Sequence, residues 1–201
     1  MELNFLEMVA MNNPLRKFLL KHIEFRRLEN LLQRQGLDLQ GAVILDAACG
    51  SGYSSQLLRD RFAPSRLVSF DLMPEQIRLS RAYPHQSLSF VGNVLSLSLK
   101  PNQFDAIFGF GFLHHVLDWK QALRELHAVL KDDGYFVFEE PNGASSEFFR
   151  KYIRFGIPKE GQFTWPEFLQ AMEQTGFRLV DSQKIFLDCF QSFLFQKFSL
   201  S

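Results

Sequence analysis

The 201-residue chain lacks an excess of charge of either sign: 22 lysines and arginines stand against 22 aspartates and glutamates. Binding a phosphate backbone draws on surplus basic side chains, so general nucleic-acid binding is not expected. Cysteine is nearly absent. Cys49 and Cys189 are the only two, neither in a CxxC pair nor in a Cys/His cluster, which excludes a disulfide framework and the common zinc sites. No metal is therefore expected. Long apolar runs are missing too. The best, Ala106 to Leu113, is eight residues long and ends at a pair of histidines, well short of the roughly 18 that would span a bilayer. Met1 to Asn13 holds Glu2 and Glu7 and no basic stretch, so it does not read as a signal peptide. A reducing, cytoplasmic setting is the resulting expectation. Internal repeats and low-complexity tracts are absent. Tryptophan and tyrosine are few, at 2 and 4, but phenylalanine occurs 23 times, 13 of them after Gly134. The length suits one domain.

Asn13-Pro14 reads as a helix N-cap followed by proline at the first helical position. Leucine, isoleucine and phenylalanine then recur at roughly helical spacing until Gly36. Ala42 to Ala47 reads as a buried strand and Tyr53 to Phe62 as a helix. Leu67 to Phe70 is a second strand, ending in Asp71, and Pro74-Glu75 opens a helix that runs to about Tyr83. Leu88 to Val91 and Phe104 to Phe110 are the third and fourth strands. Asp118 caps an amphipathic helix that ends at Lys131-Asp132-Asp133-Gly134, before a fifth strand from Tyr135 to Glu139. This alternation predicts an α/β fold with a parallel sheet. Right-handed crossovers then gather the strand C-terminal ends along one edge, where ligands bind. A helix near Pro166 to Thr175 stops at Gly176. Phe177 to Phe186 and Phe190 to Phe198, separated by Leu187 to Cys189, predict an antiparallel hairpin.

The strongest local signal is Asp46-Ala47-Ala48-Cys49-Gly50-Ser51-Gly52, between the first strand and its helix. Glycines there let the backbone approach a ligand, and the helix N-terminus adds partial positive charge. Asp71 ends the next strand, 25 residues after Asp46. A carboxylate in that place can accept both ribose hydroxyls of a nucleoside. A dinucleotide fingerprint would read GxGxxG, but Ser55 stands where its third glycine belongs. Asp46, at the strand end, would oppose a pyrophosphate, yet it suits a ligand that carries an ammonium and a sulfonium. S-adenosylmethionine is such a ligand.

On these residues the sequence resembles the class I S-adenosylmethionine-dependent methyltransferases, over residues 40 to 141. Val43 to Gly52 is similar to their first motif, with Ala48 where a glycine is usual. Phe70-Asp71-Leu72 is similar to the second, and Gly92-Asn93-Val94 falls where the family commonly has an aspartate for the adenine amino group. The Asn93 side-chain oxygen can accept from the same group. Phe104 to Ile107 resembles the fourth-strand motif, and Leu113-His114-His115-Val116 and Val129 to Gly134 resemble the small-molecule, quinone-biosynthesis-like branch. The resemblance implies a Rossmann-like, doubly wound, mostly parallel seven-stranded sheet with an antiparallel C-terminal hairpin. It implies S-adenosylmethionine as cofactor and S-adenosylhomocysteine as product. Asp46, Ala48, Cys49, Gly50 and Gly52 would then surround the methionine moiety. Asp71 would bind the ribose, Leu72, Asn93 and Val94 would bracket the adenine, and Gly109 and Phe110 would wall the sulfonium side. Exocyclic amino methylases of bases carry an Asn/Asp-Pro-Pro-aromatic tetrad after the fourth strand. Here Gly109-Phe110-Gly111-Phe112 occupies that place, which disfavours base methylation.

Methyl transfer from a sulfonium is an in-line displacement with a neutral leaving group, so the protein's main task is positioning. A base matters only where the acceptor starts protonated. His115 and His114 follow the fourth strand and are candidates for that role, against a purely structural part at the strand–helix junction. The acceptor is expected to be small and apolar or aromatic, covered by residues 1–39 as an N-terminal helical cap and by residues 142–165 as a lid within one domain of residues 40–201. In the lid, Phe148, Phe149, Tyr152 and Ile153 share one helical face and Arg150, Lys151 and Arg154 lie on or near the other. That face could pack on the sheet, cover the acceptor or touch a membrane surface. Phe110, Phe112, Phe148, Phe149, Phe155 and Phe163 are the aromatic candidates for the pocket, whereas the strand phenylalanines need only a packed sheet. Two other functions fit the loop: an NAD(P)-dependent oxidoreductase, and a non-catalytic protein that binds S-adenosylmethionine or S-adenosylhomocysteine. The sequence does not specify the oligomeric state.

Overall fold

A computed structural model of the chain describes residues 13–82, 88–141, 163–185 and 190–198. Helix α1 (Pro14–Leu19) starts where the Asn13 side chain accepts a hydrogen bond from the Arg16 N–H at 2.8 Å. It runs through a wide π turn (Leu20–Glu24) into α2 (Phe25–Arg34). An Arg16–Glu24 ion pair of 2.6 Å spans the π turn. Helix α2 buries Phe25, Leu28, Leu31 and Leu32 against one face of the sheet, together with Ile44, Leu58, Val137 and Leu194. The described part of the N-terminal cap thus shares its core with the sheet.

The sheet has seven strands: β1 (Val43–Ala47), β2 (Arg66–Asp71), β3 (Leu88–Val91), β4 (Phe104–Phe110), β5 (Leu130–Pro141), β6 (Phe177–Ile185) and β7 (Phe190–Lys197). Their order is β3-β2-β1-β4-β5-β7-β6. The first five are parallel, and β7 is antiparallel to both of its neighbours. The Rossmann-like sheet with a reversed C-terminal end is therefore as the sequence predicts. Helices α3 (Tyr53–Phe62), α4 (Pro74–Ser80), α5 (Trp119–Val129) and α6 (Trp165–Thr175) complete the connections. Each element begins where sequence chemistry allows. The Asp118 carboxylate accepts from the Gln121 N–H, and the Thr164 hydroxyl accepts from the Glu167 N–H.

Two boundaries differ from expectation. Strand β5 begins at Leu130, not Tyr135, because Leu130 already pairs with Phe104 and is fully buried. The residues between Leu130 and Tyr135 fall in a register shift between Phe104 and Ala106, where Asp133 takes a φ of +62° and Lys131 reaches Asp105 at 2.7 Å. Helix α4 ends at Ser80, and residues 83–87, toward which it was expected to run, lie outside the described part. Phe186 and the residues expected at the hairpin tip, Leu187 to Cys189, lie outside it as well.

The phenylalanines account for most of the second core. Phe136, Phe138, Phe168, Phe177, Phe193 and Phe195 are all fully buried on the face covered by α5 and α6. Two proposed pocket aromatics belong there instead. Phe163 lies 4.7 Å from Phe168 and 5.0 Å from Trp119 between ring centroids, and Phe112 is also buried. Phe148, Phe149 and Phe155, with the rest of the expected lid up to residue 162, fall outside the described residues.

Candidate functional site

Register brings the site together. Ala47 at the end of β1 stands beside Phe70 of β2 and Gly109 of β4. The sheet order reverses between β1 and β4, and a crevice opens there at the carboxyl ends of the strands. The loop after β1 crosses it with Ala48, Gly50 and Gly52 all at positive φ (55°, 53° and 88°). Gly52 has a second reason to be glycine: a Cβ there would lie 2.7 Å from the Ser80 Cβ. Gly50 has open space where its side chain would be, so a ligand can approach its backbone. The Cys49 N–H donates to the Phe70 carbonyl at 2.9 Å, which ties the loop to β2. Cys49 itself is buried, and burial pushes its thiol pKa up, so it is a packing residue and no nucleophile.

Two carboxylates organise this loop. Asp46 is fully buried. Its Oδ2 accepts from Ser54 Oγ at 2.7 Å and Ser55 Oγ at 2.5 Å. Its Oδ1 is buried with no partner among the described residues. Desolvation pushes the Asp46 pKa up to about 7, opposed by the two serine hydroxyls and aided by Asp71. Asp71 accepts the Gly50 N–H on Oδ2 and the Met73 N–H on Oδ1, each at 2.9 Å. Its pKa is also raised, by desolvation against those backbone donors. Each Asp71 oxygen keeps a further lone pair for a ligand hydroxyl. Beside it Leu72 is half exposed and Asn93 is exposed. The Asn93 Oδ1 accepts from the Leu95 N–H at 3.0 Å, and Val94 is buried in the core.

The other side of the loop is covered. Arg16, Lys17 and Leu20 of the N-terminal segment face Ala48, Gly50 and Phe110 across a cavity of about 70 Å³. Lys17 also lies over the Tyr53 ring, 5.5 Å from its centroid. Gly109 does not reach this cavity; the Phe112 ring covers it, 2.5 Å from where a Cβ would be. His114 and His115 form a 3-10 turn (Leu113–His115) just beyond, with ring centroids 3.9 Å apart. His114 is buried, and its Nδ1 lies 2.8 Å from Glu140 Oε2. His115 is exposed yet crowded by protein atoms, and desolvation, then His114, lowers its pKa.

Sequence reasoning missed Ser54, Ser55, Glu140 and the two basic residues of α1. In the sequence Ser55 stands out only as the missing third glycine, and Ser54 carries no signal. Glu140 stands at a strand C-terminal end, the same signal that drew attention to Asp71. Arg16 and Lys17 had no local signal, because only the tertiary fold lays α1 over the loop. Among the described residues, no group of three or more His, Cys, Asp or Glu side chains could hold a metal ion, and no helix is long and apolar enough to cross a membrane.

An open sheet with a glycine loop and an acid at its switch point defines an α/β nucleoside-binding protein. The comparisons narrow the class. Residues 45–138 match the family model described as a methyltransferase domain. A protein of Mycolicibacterium smegmatis named as an S-adenosylmethionine-dependent methyltransferase is 31% identical over 119 residues, 59% of this chain and 45% of that one. This chain thus spans less than half the length of that relative. The demethylmenaquinone methyltransferase of Listeria welshimeri is 27% identical over 168 residues, covering 77% and 70% of the two chains. A chain of the complex between the Trm112 methyltransferase activator and a methyltransferase of Haloferax volcanii has the same fold, with a TM-score of 0.78 at 16% identity over 96% of this chain and 98% of that one. Residues 45–138 are thus similar to a methyltransferase domain, and the sheet has the fold of the methyltransferase structures.

Proposed function

We propose that the protein transfers a methyl group from S-adenosylmethionine to a small apolar or aromatic acceptor and releases S-adenosylhomocysteine. The observation that carries this reading is the bare Oδ1 of Asp46. A fully buried carboxylate oxygen without a donor is costly. It lies under a glycine loop, where a ligand ammonium would satisfy it. NAD(P) would bring a pyrophosphate to the same place, and the family match also argues against that alternative.

The residues present fit the cofactor. Asp46, Ala48, Cys49, Gly50 and Gly52 would hold its methionine end, Asp71 its ribose hydroxyls, and Leu72, Asn93 and Val94 its adenine. Phe110 would wall the reacting side, with Gly109 contributing only through its packing on Phe112. When bound, the cofactor supplies an electrophilic methyl on a sulfonium. The protein orients that methyl, holds the acceptor in line with it and excludes water, which can contribute roughly 7–11 kcal/mol of the barrier. The α1 cap and the segment at 142–165 would enclose the acceptor.

The apolar or aromatic acceptor is supported by Leu20 and Phe110 at the cavity. It is also supported by the demethylmenaquinone methyltransferases among the relatives. Neutral net charge and the missing tetrad speak against a nucleic-acid substrate. Incubation with methyl-labelled cofactor and a panel of phenols, hydroquinones and lipids tests the reading. Label is expected in an organic-extractable product. Cofactor binding with no labelled product from any member would favour a non-catalytic binding protein.

A further inference from the structure

Strand β5 ends in two carboxylates that point to opposite faces, as strand alternation requires. Glu139 turns toward α2 and β7, where Ser192 Oγ donates to it at 2.7 Å and Arg27 lies 3.6 Å away. Glu140 turns the other way and is fully buried. Its Oε1 accepts the Phe112 and Leu113 N–H groups at 2.7 and 2.8 Å. Its Oε2 meets the His114 N–H at 3.4 Å and the His114 Nδ1 at 2.8 Å. Backbone N–H groups can only donate, and three of them meet the two Glu140 oxygens, which favours Glu140 as the acceptor and His114 Nδ1 as the donor. An imidazole with its proton on Nδ1 carries its free lone pair on Nε2. The His114 Nε2 has no partner among the described residues, and the ring packs beside Gly111, one residue beyond Phe110 at the cavity wall. Among the described residues His115 has no comparable acceptor to set its tautomer, and its ring contact is His114.

We propose that Glu140 is a positioning residue that fixes the Nδ1–H tautomer of His114, so that His114 Nε2, and not His115, takes a proton from the methyl acceptor. The inference rests on the methyltransferase reading and narrows the acceptor to one whose attacking atom starts protonated, such as a phenol or hydroquinone O–H. The O–H proton passes to Nε2 while the oxygen lone pair forms the bond to the methyl carbon. The carbon–sulfur pair stays with sulfur as a neutral thioether. The imidazolium that results keeps its Nδ1–H on the Glu140 carboxylate and later yields the Nε2 proton to solvent.

Nitrogen NMR of the full chain labelled at histidine reads the tautomer without any turnover. The unmodified protein is expected to show His114 protonated at Nδ1 and bare at Nε2. Glu140→Gln keeps an oxygen for the Phe112 and Leu113 donors but places an amide N–H₂ against Nδ1, so the signal should move to the Nε2–H form. With a naphthohydroquinone as acceptor, Glu140→Gln and His114→Gln should each slow methyl transfer about 10²–10⁴-fold. His115→Gln should slow it less, and affinity for S-adenosylhomocysteine should be unchanged in all three variants. An Nε2–H tautomer in the unmodified chain, or a loss in His115→Gln as large as in His114→Gln, would overturn the proposal. If Glu140→Gln does not fold, the unmodified tautomer and the two histidine variants still decide. No transfer to the hydroquinone by a parent chain that binds S-adenosylhomocysteine would remove the acceptor class alone. Failure to bind S-adenosylhomocysteine would remove the methyltransferase reading itself.

Discussion

At the scale of single residues, Asp46 shows how much an uncompensated group can reveal. Its pKa rises from 3.8 to about 7 because burial penalises the charged form. The folded chain therefore takes up a proton here. The stability this contributes is full below about pH 4 and is lost as the pH rises through about 7. Glu139, pushed up to about 7 by desolvation and by Glu24, acts with the same sign. A ligand ammonium at the bare oxygen reverses the preference and favours the carboxylate. Affinity for S-adenosylhomocysteine should then weaken about tenfold per pH unit below 7 and level off above it. Calorimetry across a pH series checks this, and a flat profile would mean that the ammonium sits elsewhere. The importance of Asp46 was legible from its place at a strand end. Its unequal oxygens were not, because Ser54 and Ser55 reach it only once α3 has docked.

Among the elements, the contact between the glycine loop and α4 is a tight constraint. Gly52 opens α3 in the left-handed region and lies against Ser80 at the end of α4. Gly52→Ala meets both a steric clash and an unfavourable φ, so it should cost about 2–4 kcal/mol. Thermal or denaturant unfolding of the variant measures it, and a loss below about 0.5 kcal/mol, the range of an ordinary surface change, would show that α3 and α4 are not packed this way. Five parallel strands and the antiparallel pair were readable because each has an apolar run with its own punctuation, such as Asp71 after β2 or Gly176 before β6. The start of β5 was not. Lys131-Asp132-Asp133-Gly134 has the composition of a turn, and the pairing of Leu130 with Phe104 depends on a contact 26 residues away. For the same reason Phe163 read as a pocket residue: nothing near it in sequence announces Trp119, against which it packs.

For the whole molecule, the phenylalanine excess resolves largely into a core on one face of the sheet, with Phe110 left at the site. The N-terminal helices fill the opposite face and lay Arg16 and Lys17 over the glycine loop. Zero net charge, few cysteines and a missing tetrad narrow the expected partners from the sequence alone, but only the fold shows which residues roof the site. The central claim is that the loop after β1 and Asp71 hold the adenosyl and methionine ends of the cofactor. Calorimetry of S-adenosylhomocysteine and NAD against the parent chain and Asp71→Ala tests it most directly. The account predicts binding of S-adenosylhomocysteine and not NAD, with Asp71→Ala weakening it by about 1.5–3 kcal/mol, the worth of hydrogen bonds to a charged group. Tight NAD binding without S-adenosylhomocysteine binding, or unchanged affinity in Asp71→Ala, would contradict it.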